Sequence, residues 1–80
     1  MTYLWQEERG KKFYRVQTDE KSIAHKLKRR NKFHLSAFAW NVNMWIYSCE
    51  FSRPDIAKKT LKSITGKNAE IDSEGIFSYG

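Results

Sequence analysis

Cysteine and proline occur once each in this chain of 80 residues, as Cys49 and Pro54, and there are four glycines. A single thiol can close no internal disulfide and build no cysteine-based zinc cluster, so a reducing, cytoplasmic setting is the economical expectation. Gly10, Gly66, Gly75 and Gly80 stand apart from one another, which excludes a phosphate-cradling glycine loop. The opening residues Met1 to Glu8 have neither a basic n-region nor an apolar h-region. No apolar run approaches the ~20 residues of a membrane span, so neither export nor membrane insertion is expected. Ligand spacing is missing as well: two histidines and one cysteine form no metal pattern, and no cofactor is implied. His25, His34, Cys49 and Glu50 are the only residues that could be entertained for an active site. A strand register that set His34 opposite Cys49 would give a thiol-imidazole pair, but nothing around it offers an oxyanion hole or an orienting third group. No catalytic residue is assigned and no enzyme is expected.

Acidic residues are the scarcer charge, nine against 15 Lys and Arg, for a net charge of +6. Their distribution matters more than the sum, because a binding face needs charge gathered in one place. Lys21, Lys26, Lys28, Arg29, Arg30 and Lys32 follow Glu20, and Arg53, Lys58, Lys59, Lys62 and Lys67 surround Asp55. Glu70, Asp72 and Glu74 then make the last segment acidic.

The chain also repeats itself. Phe13 to Lys28 and Ile46 to Leu61 each read as an aromatic strand, a polar cap and an Ile-Ala-x-Lys helix. Two such units predict two halves on one sheet with their helices side by side. Thr18-Asp19-Glu20 and the stripe Ile23, Ala24, Leu27 predict a helix over about 19–30, ended by cations and the left-handed-tolerant Asn31. Ser52-Arg53-Pro54-Asp55 resembles a capping box with proline in the first turn. Ile56, Ala57, Thr60, Leu61 and Ile64 continue it as a buried stripe that Gly66 closes, a helix over about 53–65.

Between the helices, Phe33 to Phe51 reads as a hairpin with strands near 33–40 and 43–51. A two-residue turn at Asn41-Val42 would set Leu35, Ala37, Ala39, Met44, Ile46 and Ser48 beneath the helices. His34, Ser36, Phe38, Trp40, Trp45, Tyr47 and Cys49 would then share the open face. A three-residue turn would instead join Trp45 and Tyr47 to Leu35, Ala37 and Ala39. The two-residue version is preferred, since small apolar residues suit the side under helices.

With Phe13 to Gln17 as a further strand, the expected fold is α+β. It is a small ferredoxin-like split βαββα(β) sandwich, its antiparallel sheet carrying two helices on one face and an N-terminal edge hairpin. Tyr3 to Glu7 and Ile76 to Tyr79 compete for the place beside that strand, and the hairpin is favoured as the more local pairing. One α+β domain then occupies residues 1–67, with 68–80 as an acidic tail or short edge hairpin packed on it.

Two classes of function fit. The first is a non-enzymatic nucleic-acid-binding module whose Lys26, Lys28, Arg29, Arg30, Lys32, Lys58, Lys59 and Lys62 meet phosphates, with Trp40, Trp45 and Tyr47 as stacking rings or partner anchors. The glycine-aromatic strand signature of RNA-recognition motifs is absent from Asn43 to Phe51. The second is a protein-interaction module or mobile-element-type inhibitor that binds and blocks a host protein through an acidic surface of that partner. Either would act as a monomer or a homodimer.

Overall fold

Turn chemistry and alternation account for most element boundaries in the computed structural model, which describes residues 1–80. β1 (Thr2–Gln6) and β2 (Phe13–Thr18) form a hairpin whose loop turns at Gly10, with φ at 80°, a value that glycine adopts without Cβ strain. α1 (Lys21–Lys28) follows, then the hairpin of β3 (His34–Ala39) and β4 (Met44–Glu50), then α2 (Pro54–Thr65), and last the short strands β5 (Glu70–Ile71) and β6 (Phe77–Tyr79). The sheet has six strands in the order β3-β4-β2-β1-β6-β5, and every neighbouring pair is antiparallel. The molecule is thus a small α+β domain with two helices.

The internal repeat has a direct structural counterpart. Two ββα units, β1-β2-α1 and β3-β4-α2, meet inner strand to inner strand, from Phe13 opposite Glu50 to Thr18 opposite Trp45. Side chains paired across strands share a face, so Leu4, Val16, Tyr47 and Leu35 lie in one row, with Thr2, Thr18 and Tyr79 on the same side. Both helices cover that side. The Tyr47 hydroxyl donates to the Ala24 carbonyl on α1 at 3.2 Å, and the Tyr79 hydroxyl to the Lys58 carbonyl on α2 at 3.1 Å. Ile23, Ala24 and Leu27 from α1 and Ala57, Leu61 and Ile64 from α2 complete the core.

Polar groups trapped under the helices are answered locally. Thr2 and Thr18, both fully buried, share a hydroxyl hydrogen bond of 2.9 Å, and the Thr18 hydroxyl also accepts from the Glu20 backbone N–H. That leaves no buried side-chain N or O without a partner. Neither helix uses its expected side-chain cap: α1 starts at Glu20 and α2 at Arg53 without one, Asp55 instead pairing with Arg53 at 3.4 Å. Gly66 does close α2 in the left-handed conformation. Asn31 does not play that part for α1, and the left-handed asparagine is Asn43, in the turn between β3 and β4.

Two expectations need correction. The N-terminal hairpin is not at an edge, because β6 pairs with the free side of β1, setting Thr2 opposite Tyr79 and Leu4 opposite Phe77. Burial drives this: Tyr79 is 0% exposed. The preferred distribution of faces is also overturned along β4 and at Ala37, Phe38 and Ala39, whereas Leu35 lies on the helix side and His34 on the open side as expected. Near the turn the register is the expected one, with Ala39 opposite Met44 and Phe38 opposite Trp45, but a bulge between Leu35 and Ala37 shifts the remainder so that Leu35 faces Tyr47. Trp45, Tyr47 and Cys49 lie under the helices and Met44, Ile46 and Ser48 face away, since the large rings fill the core that alanines would leave hollow. No helix is long and apolar enough to cross a membrane.

Candidate nucleic-acid interface: the helix layer and the β3 margin

The amphipathic pattern of each helix decides where its cations go. Apolar stripes point α1 and α2 at the sheet, and Lys21, Lys26, Lys28, Lys58, Lys59 and Lys62 are left exposed on the layer above it. The helices adjoin there, with the Lys26 ammonium donating to the Ile64 carbonyl at 3.3 Å. Lys58 lies over the Phe77 ring at 5.8 Å, and Lys32, beyond the end of α1, over Phe51 at 4.5 Å. Lys28, Arg29, Arg30, Lys59 and Lys62 have no carboxylate partner. Asp55 is the sole acid in either helix and is taken by Arg53. The positive charge of this layer is therefore not neutralised from within.

The nominated aromatic residues separate. Tyr47 is 4% exposed, with burial pushing its hydroxyl pKa upward, so it is a core ring and not a stacking platform. Trp45 is partly buried against the core and stacks on Phe38, centroids 5.3 Å apart and planes 25° from parallel. Trp40, just past β3, is 78% exposed.

Why Phe38 and Leu35 remain exposed follows from widths. Two helices about 10 Å across cover about four strands spaced ~4.8 Å apart, not six. α1 packs on β2 and α2 on β1 and β6, so the shortfall falls at the two edges, β3 and β5, where Ile71 is likewise exposed. A groove of about 330 Å³ opens at the β3 edge between α1 and the β3–β4 hairpin, lined among others by Lys21, His25, Lys28, Leu35 and Trp45. Lys21 and His25 were missing from the sequence-derived site. Their spacing with Lys28, at i, i+4 and i+7, is the signal that places all three along one side of a helix.

A larger groove of about 730 Å³ lies where β2 and β4 meet the start of α2, but Glu7 and Glu50 line it together with Lys12 and Lys32. Mixed charge gives it no preference for an anion. Cys49 borders it with a thiol pushed up to about 12 by burial, Lys32 opposing that shift. The bulge sets His34 opposite Ser48, which puts the imidazole on the sheet face away from the helices and from Cys49, so the thiol-imidazole pair does not form. That outer face has aromatic residues of its own, Tyr3, Trp5 and Phe13, beside Arg15, whose guanidinium is paired with Glu7. Sequence reasoning missed them, although the alternation of Tyr3 and Trp5 with the buried Thr2 and Leu4 carries the signal.

What fold and site define together is an α+β domain with a cationic helix layer bordered by an uncovered aromatic margin. Comparison with family models, with curated proteins and with solved structures returns no match for the chain.

Proposed function

We propose that this protein binds nucleic acid through the exposed surface of α1 and α2, without catalysing a reaction on it. One observation carries the reading: two adjoining helices on one side of the sheet each expose cations, while the only carboxylate in those helices is already paired. Lysine and arginine gathered in this way displace condensed counterions from a polyanion, and the entropy released drives association. Lys28, Arg29, Arg30, Lys59 and Lys62 supply the phosphate contacts, with Lys26, Lys32 and Lys58 at their margins. Strand β4 between β2 and β3 supports the ferredoxin-like reading of that half of the sheet. The single buried thiol of Cys49 is in keeping with a reducing, cytoplasmic location.

The test is fluorescence anisotropy with labelled oligonucleotides across a salt series. Five phosphate contacts would lower affinity about 100- to 500-fold between ~50 and ~200 mM salt, and Lys59→Glu with Lys62→Glu would flatten the slope by about two contacts. Absence of binding at the lowest salt rejects the proposal. A second reading, a protein-interaction module or inhibitor with an acidic partner, is favoured by one feature: Trp40 and Val42, 78% and 57% exposed, project apolar surface from the β3–β4 turn. It calls for one tight protein partner and little affinity for free oligonucleotides.

A further inference from the structure

We propose that the groove between α1 and β3 seats an unpaired nucleotide, and that the protein therefore prefers single-stranded to double-stranded nucleic acid. This inference rests on the nucleic-acid reading above and names the ligand form that the site would select. The groove's floor is Trp45, partly buried, and the exposed Leu35, with the buried rings of Phe33 and Tyr47 beneath; Phe38, 47% exposed, stacks on Trp45 from outside the groove. Its wall is the Lys21, His25, Lys28 side of α1, spread over about 10 Å of helix at 1.5 Å per residue. No carboxylate lines it. Glu20, the nearest acid in sequence, accepts from the Thr2 hydroxyl at 3.2 Å and lies 4.0 Å from the Met1 amine.

Rings below and cations alongside are the two elements that single-strand binding combines. A base presents its flat face to an aromatic side chain while its phosphate tracks the positive wall. Base pairs inside a duplex keep both faces covered by their own neighbours, so a duplex can use the wall but not the floor. At about 330 Å³ the groove falls within the ~300–1,000 Å³ range of small-ligand sites. Charge argues for a polyanion over a second copy of the chain. A copy docking on this margin would bring its own Lys21, Lys28 and Lys32 up against the same cations.

The experiment compares a short oligothymidylate with a blunt duplex of equal length, using protein labelled with 5-fluorotryptophan. The three tryptophan fluorine resonances are assigned by single Trp→Phe variants. The single strand is expected to shift the Trp45 resonance and leave that of Trp5, on the opposite sheet face, in place; the duplex should move neither. Phe38→Ala, which removes the ring stacked on Trp45, should weaken single-strand binding about tenfold, with duplex affinity unchanged. Circular dichroism checks that this variant folds, and if it does not, the Trp45 shift in the parent protein decides. Equal affinity for the two forms with an unmoved Trp45 overturns the groove and spares the helix-layer reading. No binding of either form at low salt overturns both. Self-association abolished by Leu35→Glu, with no oligonucleotide effect on Trp45, would give the margin to a second copy instead.

Discussion

Replacing Tyr79 measures how far the last hairpin belongs to the core. The side chain is 0% exposed, lies beside Thr2 across the β1–β6 pairing, and its hydroxyl donates to the Lys58 carbonyl at 3.1 Å. Truncating a fully buried aromatic ring costs about 3 to 5 kcal/mol, the transfer free energy plus the cavity that remains. Losing only the hydroxyl costs about 1 kcal/mol, or somewhat more because the Lys58 carbonyl is left short of a donor. At ~0.05 to 0.15 kcal/mol per residue a chain of this length holds about 4 to 12 kcal/mol in all, so Tyr79→Ala should forfeit about a quarter or more. Melting temperature should fall by about 12 °C or more for Tyr79→Ala and about 4 to 8 °C for Tyr79→Phe. Urea titration followed by circular dichroism gives both free energies. A Tyr79→Ala protein within about 0.5 kcal/mol of the parent would refute the reasoning, for that is the range of a surface change.

Alkaline pH should destabilise the fold. Burial raises the phenols of Tyr14, Tyr47 and Tyr79, the last to about 12 from its ordinary 10.0, and the Cys49 thiol to about 12 from 9.0. The unfolded chain loses these protons first, so their contribution is whole below pH 9 and declines as pH climbs toward 12, which urea midpoints at stepped pH will show. Cys49 itself should resist a thiol reagent at pH ~8 in the native protein and react at once in denaturant, because only the thiolate attacks. Gly66→Ala should cost about 1 kcal/mol by urea titration. Its φ is 71° and an added Cβ would meet nothing within 4 Å, so the penalty is one of backbone conformation alone.

Both helices and the first two hairpins are legible in the sequence because their signals are local. Ile23, Ala24 and Leu27, and Ala57, Leu61 and Ile64, recur at helical spacing, and the charged residues between them are thereby sent outward. The bulge after Leu35 is not legible. It has no glycine and no break in composition, yet one extra residue reverses which side of the sheet His34 and Leu35 occupy. Trp45 and Tyr47 were misplaced for a related reason, since alternation says which residues travel together but not which set turns inward. β5 and β6 are only two and three residues long, too short for periodicity, and their place depends on the unpaired side of β1, which is a property of the assembled sheet. The groove at β3 was invisible because it comes from a mismatch of widths between layers.

The pairing of β1 with β6 also bears on how the chain could be rewired. Thr2 and Tyr79 are direct neighbours, and a Cβ built on Gly80 would come within 2.6 Å of the Met1 side chain, so the ends of this segment touch. A short linker could join them and new ends could be cut into the exposed turn at Asn41-Val42, giving a circular permutant with the same core. Such a rearranged protein would free the aromatic margin from its covalent loop while leaving the cationic layer intact, a way to separate their contributions without changing a single side chain.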